Sequence, residues 1–143
     1  ALVAATDALA IPLVDLMHNL ADSDANRLRL IAAGCLPAVT RLLLGPSGSA
    51  TLKEHALNAA ASLAGVPDTE LSFPEILARC CASRIPGIQR EGLRSMQLVA
   101  ARSELAPRLA QVGGLKEALR AAATSRDAAC AQAAAELIEV LKI

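Results

Sequence analysis

The stretch "LIAAGCLPAVTRLLL", residues 30–44, decides the fold because it places a break between two apolar helical segments. One short helix stops at Gly34, and a second starts at once with Pro37 in its first turn. Glycine adopts the left-handed conformation at a helix end without steric cost. Proline is tolerated in the first turn, where its missing N–H would have no partner within the helix. The stretch therefore predicts a sharp corner between two helices.

The same corner recurs further along the chain. "AQVGGLKEALRAA", residues 110–122, places Gly113 and Gly114 before a new apolar helix. The ends of the longer helices also align, at spacings of 43, 36 and 42 residues: "LMHNLA" (16–21), "AAASLA" (59–64), "SMQLVA" (95–100) and "LIEVL" (137–141). Self-similarity at about 40 residues indicates a solenoid of helical repeats.

The composition favours an all-α fold. Hydrophobic residues make up 54 % of the chain and aromatic residues only 1 %, so the core must consist of Leu, Ile, Val and Ala. Ala and Leu have high helix propensity, whereas strands favour aromatic and β-branched residues. Apolar residues recur at helical spacing in four stripes: Leu13, Leu16, Met17 and Leu20; Leu52, Ala56, Ala59, Ala60 and Leu63; Leu93, Met96 and Val99; Ala134, Leu137, Ile138 and Leu141.

Several residues indicate where helices begin. Ser23, Asp24 and Ser103 are of the types that cap helix N-termini, and each follows the end of a long helix. Pro12 lies in or near the first long helix, so that helix is expected to begin late or to kink.

These features resemble an armadillo repeat, whose short first helix ends in Gly and is followed by an apolar segment with Pro near its start. "IAAGCLPAVTRLL" (31–43) matches that pattern, and "LMHNLA" resembles the end of the family's third helix. The resemblance implies an all-α, right-handed α-solenoid of about three armadillo-type three-helix repeats plus a partial N-terminal repeat. It covers 1–143 as one domain, with the partial repeat at 1–22 and repeats at 23–65, 66–101 and 102–143.

The middle repeat departs from the family. No glycine precedes "FPEILARCC" (73–81), and Gly92 stands where the family usually has Ala. The two-helix HEAT repeat is the alternative, especially for this unit. The chain is expected to be a fragment of a longer array.

Armadillo third helices line a concave groove, and the resemblance assigns groove positions to this chain. They implicate Asp15 and Asn19, Asn58 and Ser62, Arg90, Arg94 and Leu98, and Glu136 and Val140. The implied function is a protein–protein interaction module that binds a partner segment through the groove. The alternative is a structural scaffold section of a larger array whose own groove stays empty.

Arg90 and Arg94 are one turn apart and suggest an acidic or phosphorylated partner segment. The alternative is that they are solvated or pair with Glu54, Glu91 or Glu136. Binding of a basic localisation signal is disfavoured, because the chain has no Trp and only Asn19 retains the family's groove Asn. Leu98 and Val140 also allow packing against a neighbouring helix or a partner's amphipathic helix.

The sequence predicts no enzyme activity, no cofactor and no metal site. His18 and His55 have no Cys or second His at metal-ligand spacing, and no catalytic triad can be assigned. Nucleic-acid binding is not expected, because the net charge is zero and the basic segment 79–108 lacks aromatic residues. No apolar run is long enough to predict a membrane span.

The four cysteines include no C-x-x-C pair and are expected to be free thiols in a reducing compartment. The cytoplasm fits, and the nucleus or a cilium would fit equally. The start of the chain does not have the pattern of a signal peptide. Neither "ALVAATDALA" (1–10) nor "LIEVLKI" (137–143) looks like a polar cap. Solenoid ends need such caps, so flanking repeats or self-association are expected.

Overall fold

The computed structural model describes residues 2–45, 49–66 and 71–143, and for residues 2–8 it describes the backbone alone. Within these ranges every regular element is an α-helix, which confirms the all-α prediction. The chain forms two compact units, Ala1–Glu70 and Leu71–Ile143.

The first unit contains four helices in its described part: α1 (Leu2–Leu20), α2 (Asp24–Ala32), α3 (Cys35–Leu44) and α4 (Ala50–Ala64). Helix α4 is central, because α1, α2 and α3 all pack against it. The predicted stripe on α4 is confirmed as core, since all five of its members are buried.

Helix α1 differs from its prediction in two ways. It begins at Leu2 and runs through Pro12, so of the two alternatives that Pro12 suggested, a late start and a kink, the late start is wrong. Three leucines of its predicted stripe are exposed, and with Leu9 they form a row at helical spacing whose exposure runs from 73 % at Leu9 to 39 % at Leu20. Val14 is the buried apolar residue on the described part of this helix. We call Leu9, Leu13, Leu16 and Leu20 the α1 leucine row.

The predicted break between two helices at Gly34 is confirmed. Gly34 precedes α3 with φ +83°, in the left-handed region. Pro37 lies in the first turn of α3 and is buried. At the preceding corner, Ser23 caps α2 by accepting a hydrogen bond from the Asn26 backbone N–H at 3.5 Å, as predicted.

Replacing Gly34 by alanine is expected to lower the free energy of unfolding by about 1–2 kcal/mol, the cost of a left-handed backbone in an L-residue. No atom lies within 4 Å of the added Cβ, so the cost comes from the backbone and not from a clash. Asparagine tolerates this conformation better, so Gly34→Asn should cost less. Urea denaturation followed by circular dichroism measures both changes; equal stability of Gly34→Ala and wild type would contradict the argument.

The second unit contains five helices in its described part: α5 (Phe73–Cys81), α6 (Pro86–Ala100), α7 (Ala106–Ala110), α8 (Leu115–Ala122) and α9 (Ala128–Leu141). Helix α6 packs against α5 and α9, and α8 also packs against α5 and α9. The predicted stripe on α6 is buried, as are Ala134, Leu137 and Leu141 of the stripe on α9. At the end of the chain, Val140 is exposed.

The helix starts of this unit follow different rules. Gly114 precedes α8 with φ +82°, as predicted. Helix α5 has no glycine before it and instead begins with a capping box, in which Ser72 and Glu75 each satisfy the other's backbone N–H. The prediction for Ser103 is wrong, because Leu105 occupies the N-cap position of α7.

The departure at Gly92 has a steric cause. A Cβ at this position would lie 2.5 Å from the Cβ of Cys80 and 3.0 Å from its carbonyl carbon. Helices α5 and α6 therefore approach too closely for the alanine that the family resemblance leads one to expect. Both Cys80 and Cys81 are buried at this contact.

Candidate functional site

In the first unit, helices α1 and α4 are joined by two polar contacts. His55 Nδ1 and Asp15 Oδ1 lie 2.5 Å apart. His18 Nδ1 and the Ser62 hydroxyl are also 2.5 Å apart. The partner numbers rise together along both helices, so α1 and α4 run in the same direction.

In the second unit, α6 and α9 are joined in the same manner. Arg90 Nη2 donates a hydrogen bond to Asp127 Oδ2 at 2.8 Å. Two turns later, Gln97 Nε2 donates to Glu136 Oε2 at 3.2 Å. Here too the partner numbers rise together, so α6 and α9 are parallel neighbours.

An open groove runs between α6 and α9 and consists of two adjoining cavities of about 280 and 210 Å³. Gln97 and Glu136 line both cavities. We call this surface the α6–α9 groove. The surface of the larger cavity is mostly apolar, with Leu93, Ala129, Cys130 and Ala133 between its polar members, which are Arg90, Arg94, Gln97, Gln132 and Glu136. The smaller cavity is apolar beyond Gln97 and Glu136, with Ala100, Ala101, Leu137 and Val140.

Asp127 organises one end of this groove. It is the N-cap of α9 and accepts hydrogen bonds from the backbone N–H groups of Ala129 at 3.0 Å and Cys130 at 3.2 Å. The Arg90 hydrogen bond, assisted by these backbone donors, holds the pKa of Asp127 below its ordinary value. The same contact raises the pKa of Arg90. Arg90 is therefore fixed against the start of α9.

Arg94 is held differently. Its Nη1 donates to Glu91 Oε1 at 3.2 Å within the same helix. The Arg94 side chain is 60 % exposed, whereas Glu91 is buried. Glu91 Oε2 has no hydrogen-bond partner among the described residues. The sequence suggested Glu54, Glu91 or Glu136 as partners of the two arginines. Glu91 is the partner of Arg94, whereas Arg90 pairs with Asp127 instead.

The Asp127→Asn variant is expected to make the protein less stable near neutral pH, with a lower melting temperature, and to flatten its stability profile in acid. Asparagine still caps a helix, but it does not form the ion pair with Arg90. Because the folded-state pKa of Asp127 is lowered, the stabilisation is present above the unfolded-state pKa and is lost as the pH falls through the folded-state pKa. Thermal unfolding from pH 7 to pH 2 should show the two proteins converging in acid.

The control for this experiment is Asp22→Asn, since Asp22 is exposed and forms none of the observed side-chain ion pairs. Its curve should keep the wild-type shape. A constant gap between Asp127→Asn and wild type down to pH 2 would show that the ion pair is not the cause.

Buried thiols lie beside the groove. Cys130 lines the larger cavity but is almost inaccessible, and Cys80 and Cys81 are buried on α5. Burial raises the pKa of the Cys80 thiol to about 12 and also raises those of Cys81 and Cys130. All four cysteines are free, and Cys35 is half-buried.

The structure distributes the predicted site residues unevenly. Arg90, Arg94, Glu136 and Val140 line the α6–α9 groove, but Leu98 is half-buried and absent from its lining. In the first unit, Asp15 and Ser62 are engaged by the two histidines. Asn19 and Asn58 are exposed on the same pair of helices.

Sequence reasoning did not assign three of the groups that form the contacts described above. Gln97 lies one turn after Arg94, so helical spacing alone could have placed it on the same face. Asp127 stands directly before an alanine-rich helix, which is the pattern of an N-cap. His55 carried no local signal, because its partner Asp15 is 40 residues away.

In the described part of the chain, no three His, Cys, Asp or Glu side chains converge on a point where they could bind a metal ion. No described helix combines the length and apolar character that crossing a membrane requires. Comparison of the chain with protein-family models, curated proteins and solved structures found no match.

Proposed function

We propose that the chain is a section of an armadillo-type α-solenoid and that it binds a partner protein through the α6–α9 groove. The observation that carries the proposal is the sequence separation of residues in contact across parallel long helices. These contacts join residues 40 and 44 apart between α1 and α4, and 37 and 39 apart between α6 and α9. A stack of helical repeats with a period near 40 residues would produce such contacts.

The order of the helices supports the same proposal. In α2–α4 and again in α7–α9, a short helix, a left-handed glycine and a medium helix precede a long helix. Helices α5 and α6 form a pair that resembles the two-helix HEAT unit. A right-handed solenoid with repeats at 23–65, 66–101 and 102–143 and a partial repeat at 1–22 remains the prediction that these features favour.

The groove has the chemistry of a binding surface. Its lining combines apolar residues with guanidinium, amide and carboxylate groups. Donors and acceptors held on rigid helices can fix the register of a bound segment at low entropic cost. The function proposed is therefore recognition, with no bond made or broken. The buried thiols fit a reducing compartment such as the cytoplasm.

The test is site-specific photo-crosslinking in the full-length protein, expressed in cells of the organism that produces it. A photoreactive amino acid at Gln132, an exposed residue in the groove, should crosslink a partner polypeptide at a defined segment. The matched control is Lys116, which is exposed on α8 and does not line the groove. Equal yields at both positions, or none at Gln132, would argue against groove binding.

A scaffold section is the second candidate, favoured by the α1 leucine row. An exposed apolar row at helical spacing suits packing by another helix, either of the same protein or of a second copy. This reading predicts crosslinks from position 9 and none from position 132. The sequence also suggests self-association through the two ends of the chain. At the first of these ends, the side chains of residues 1–8 lie outside the described residues.

A further inference from the structure

We propose that the α6–α9 groove selects a partner segment in which an anionic side chain lies about three positions from an apolar side chain. This inference rests on the proposed function and names the chemistry of its ligand. It follows from the two arginines that line only the larger cavity, from the apolar side chains that line only the smaller one, and from the distance between these two groups.

The anionic side chain would bind at the arginine end. Arg90 and Arg94 each use one terminal nitrogen in their ion pairs, and a guanidinium has five N–H donors. The remaining donors on the exposed Arg94 side chain can grip a carboxylate or a phosphate, which share the geometry that arginine binds. The carboxylate of Glu136, the acidic residue in the groove lining, already accepts from Gln97 and, at 2.8 Å, from Gln132.

The apolar side chain would bind at the other end. Ala100, Ala101, Leu137 and Val140 form the apolar part of the smaller cavity. Val140 is 56 % exposed, so a partner can reach its side chain. Covering these side chains removes apolar surface from water, which favours an aliphatic or aromatic residue of the partner.

The spacing follows from helix geometry. The Gln97–Glu136 hydrogen bond places these two residues at the same level. Counted from that contact, Arg94 and Val140 are seven residues apart along the groove, and counted from the Arg90–Asp127 contact they are nine apart, so at 1.5 Å per residue their separation is about 10–13 Å. A polyproline II segment advances about 3.1 Å per residue with three residues per turn, so residues i and i+3 are about 9 Å apart on one side and residues i and i+6 about 19 Å. Of these same-side spacings i+3 lies nearest to the separation, which sets the predicted spacing at about three positions.

The experiment begins with a phage library of random 12-residue peptides selected on the intact chain. Enriched peptides are synthesised, and amide chemical-shift changes establish whether they bind at α6 and α9. For a groove-binding peptide, variants with Glu, phosphoserine or Ser at the anionic position are compared by fluorescence anisotropy. We expect Ser to weaken binding about tenfold, and the tighter of Glu and phosphoserine identifies the source of the anion.

Protein variants test the two ends. Arg94→Gln keeps a donor for Glu91 and should remove most of the preference for the anionic peptides over the Ser peptide. Val140→Ser should weaken the binding of the anionic peptides and of the Ser peptide alike. Arg108→Gln is the control, since Arg108 is exposed and outside the groove lining. Groove-binding peptides without an anionic residue at the predicted spacing would overturn the inference and leave the proposed function intact. If no selected peptide binds at the groove, both the inference and the proposed function are overturned.

Discussion

Replacing Gly92 by alanine is expected to lower the free energy of unfolding by about 2 kcal/mol. The added Cβ would lie 2.5 Å from the Cys80 Cβ, 3.0 Å from the Cys80 carbonyl carbon and 3.1 Å from the Cys81 backbone nitrogen. Two of these atoms belong to the backbone, so α5 and α6 must move apart. Overpacking of this kind costs about 1–3 kcal/mol or more, and it outweighs the gain of about 0.5–1 kcal/mol from alanine's helix propensity.

Gly113→Ala is the matched control. Its added Cβ meets nothing within 4 Å, and Gly113 is not among the glycines with positive φ. Its effect should stay within about 0.5 kcal/mol, as for surface substitutions in general. Urea denaturation of the intact chain compares the two variants. A stabilised Gly92→Ala variant would show that α5 and α6 are not in close contact in solution.

Replacing Leu52 by alanine should have a similarly large effect, about 3 kcal/mol, the range for truncating a buried leucine. Leu52 on α4 is 1 % exposed and belongs to the helix against which α1, α2 and α3 pack. The truncation leaves a cavity that neighbouring helices fill only in part. The midpoint of urea denaturation is the measurement.

Leu13→Ala is the informative control, because it removes the same atoms from a side chain that is 60 % exposed. The periodicity of α1 predicts Leu13 in a buried stripe, whereas the structure places it in the α1 leucine row. A change below about 0.5 kcal/mol supports the exposed placement. A cost as large as that of Leu52→Ala would show that another surface covers the row in solution, which the scaffold hypothesis requires.

The sequence predicts the helices well wherever local chemistry determines them. Gly34 and Gly114 adopt left-handed backbone conformations where one helix ends and the next must begin at once, and the buried stripes of α4 and α6 follow from spacing alone. The α1 leucine row shows where this reasoning fails. Spacing defines a face of a helix, but the arrangement of its neighbours determines whether that face is buried.

The candidate site was less predictable for the same reason. Arg90, Arg94, Glu136 and Val140 were assigned from positions in the repeat, and the structure places all four around one groove. The partner of Arg90 depends on a residue 37 positions away, and no local pattern indicates it. Gly92 lacks a local explanation in the sequence, because its cause is a close approach of two helices.

The cysteine distribution also provides a native kinetic reporter. Thiolates react with alkylating agents and thiols do not, so burial and raised pKa values protect Cys80, Cys81 and Cys130 in the folded protein. All three lie in the second unit, whereas the half-buried Cys35 is the cysteine of the first. Pulsed alkylation read out by mass spectrometry would therefore time the opening of the second unit without an introduced probe, and the more accessible Cys35 would serve as an internal reference for the reagent.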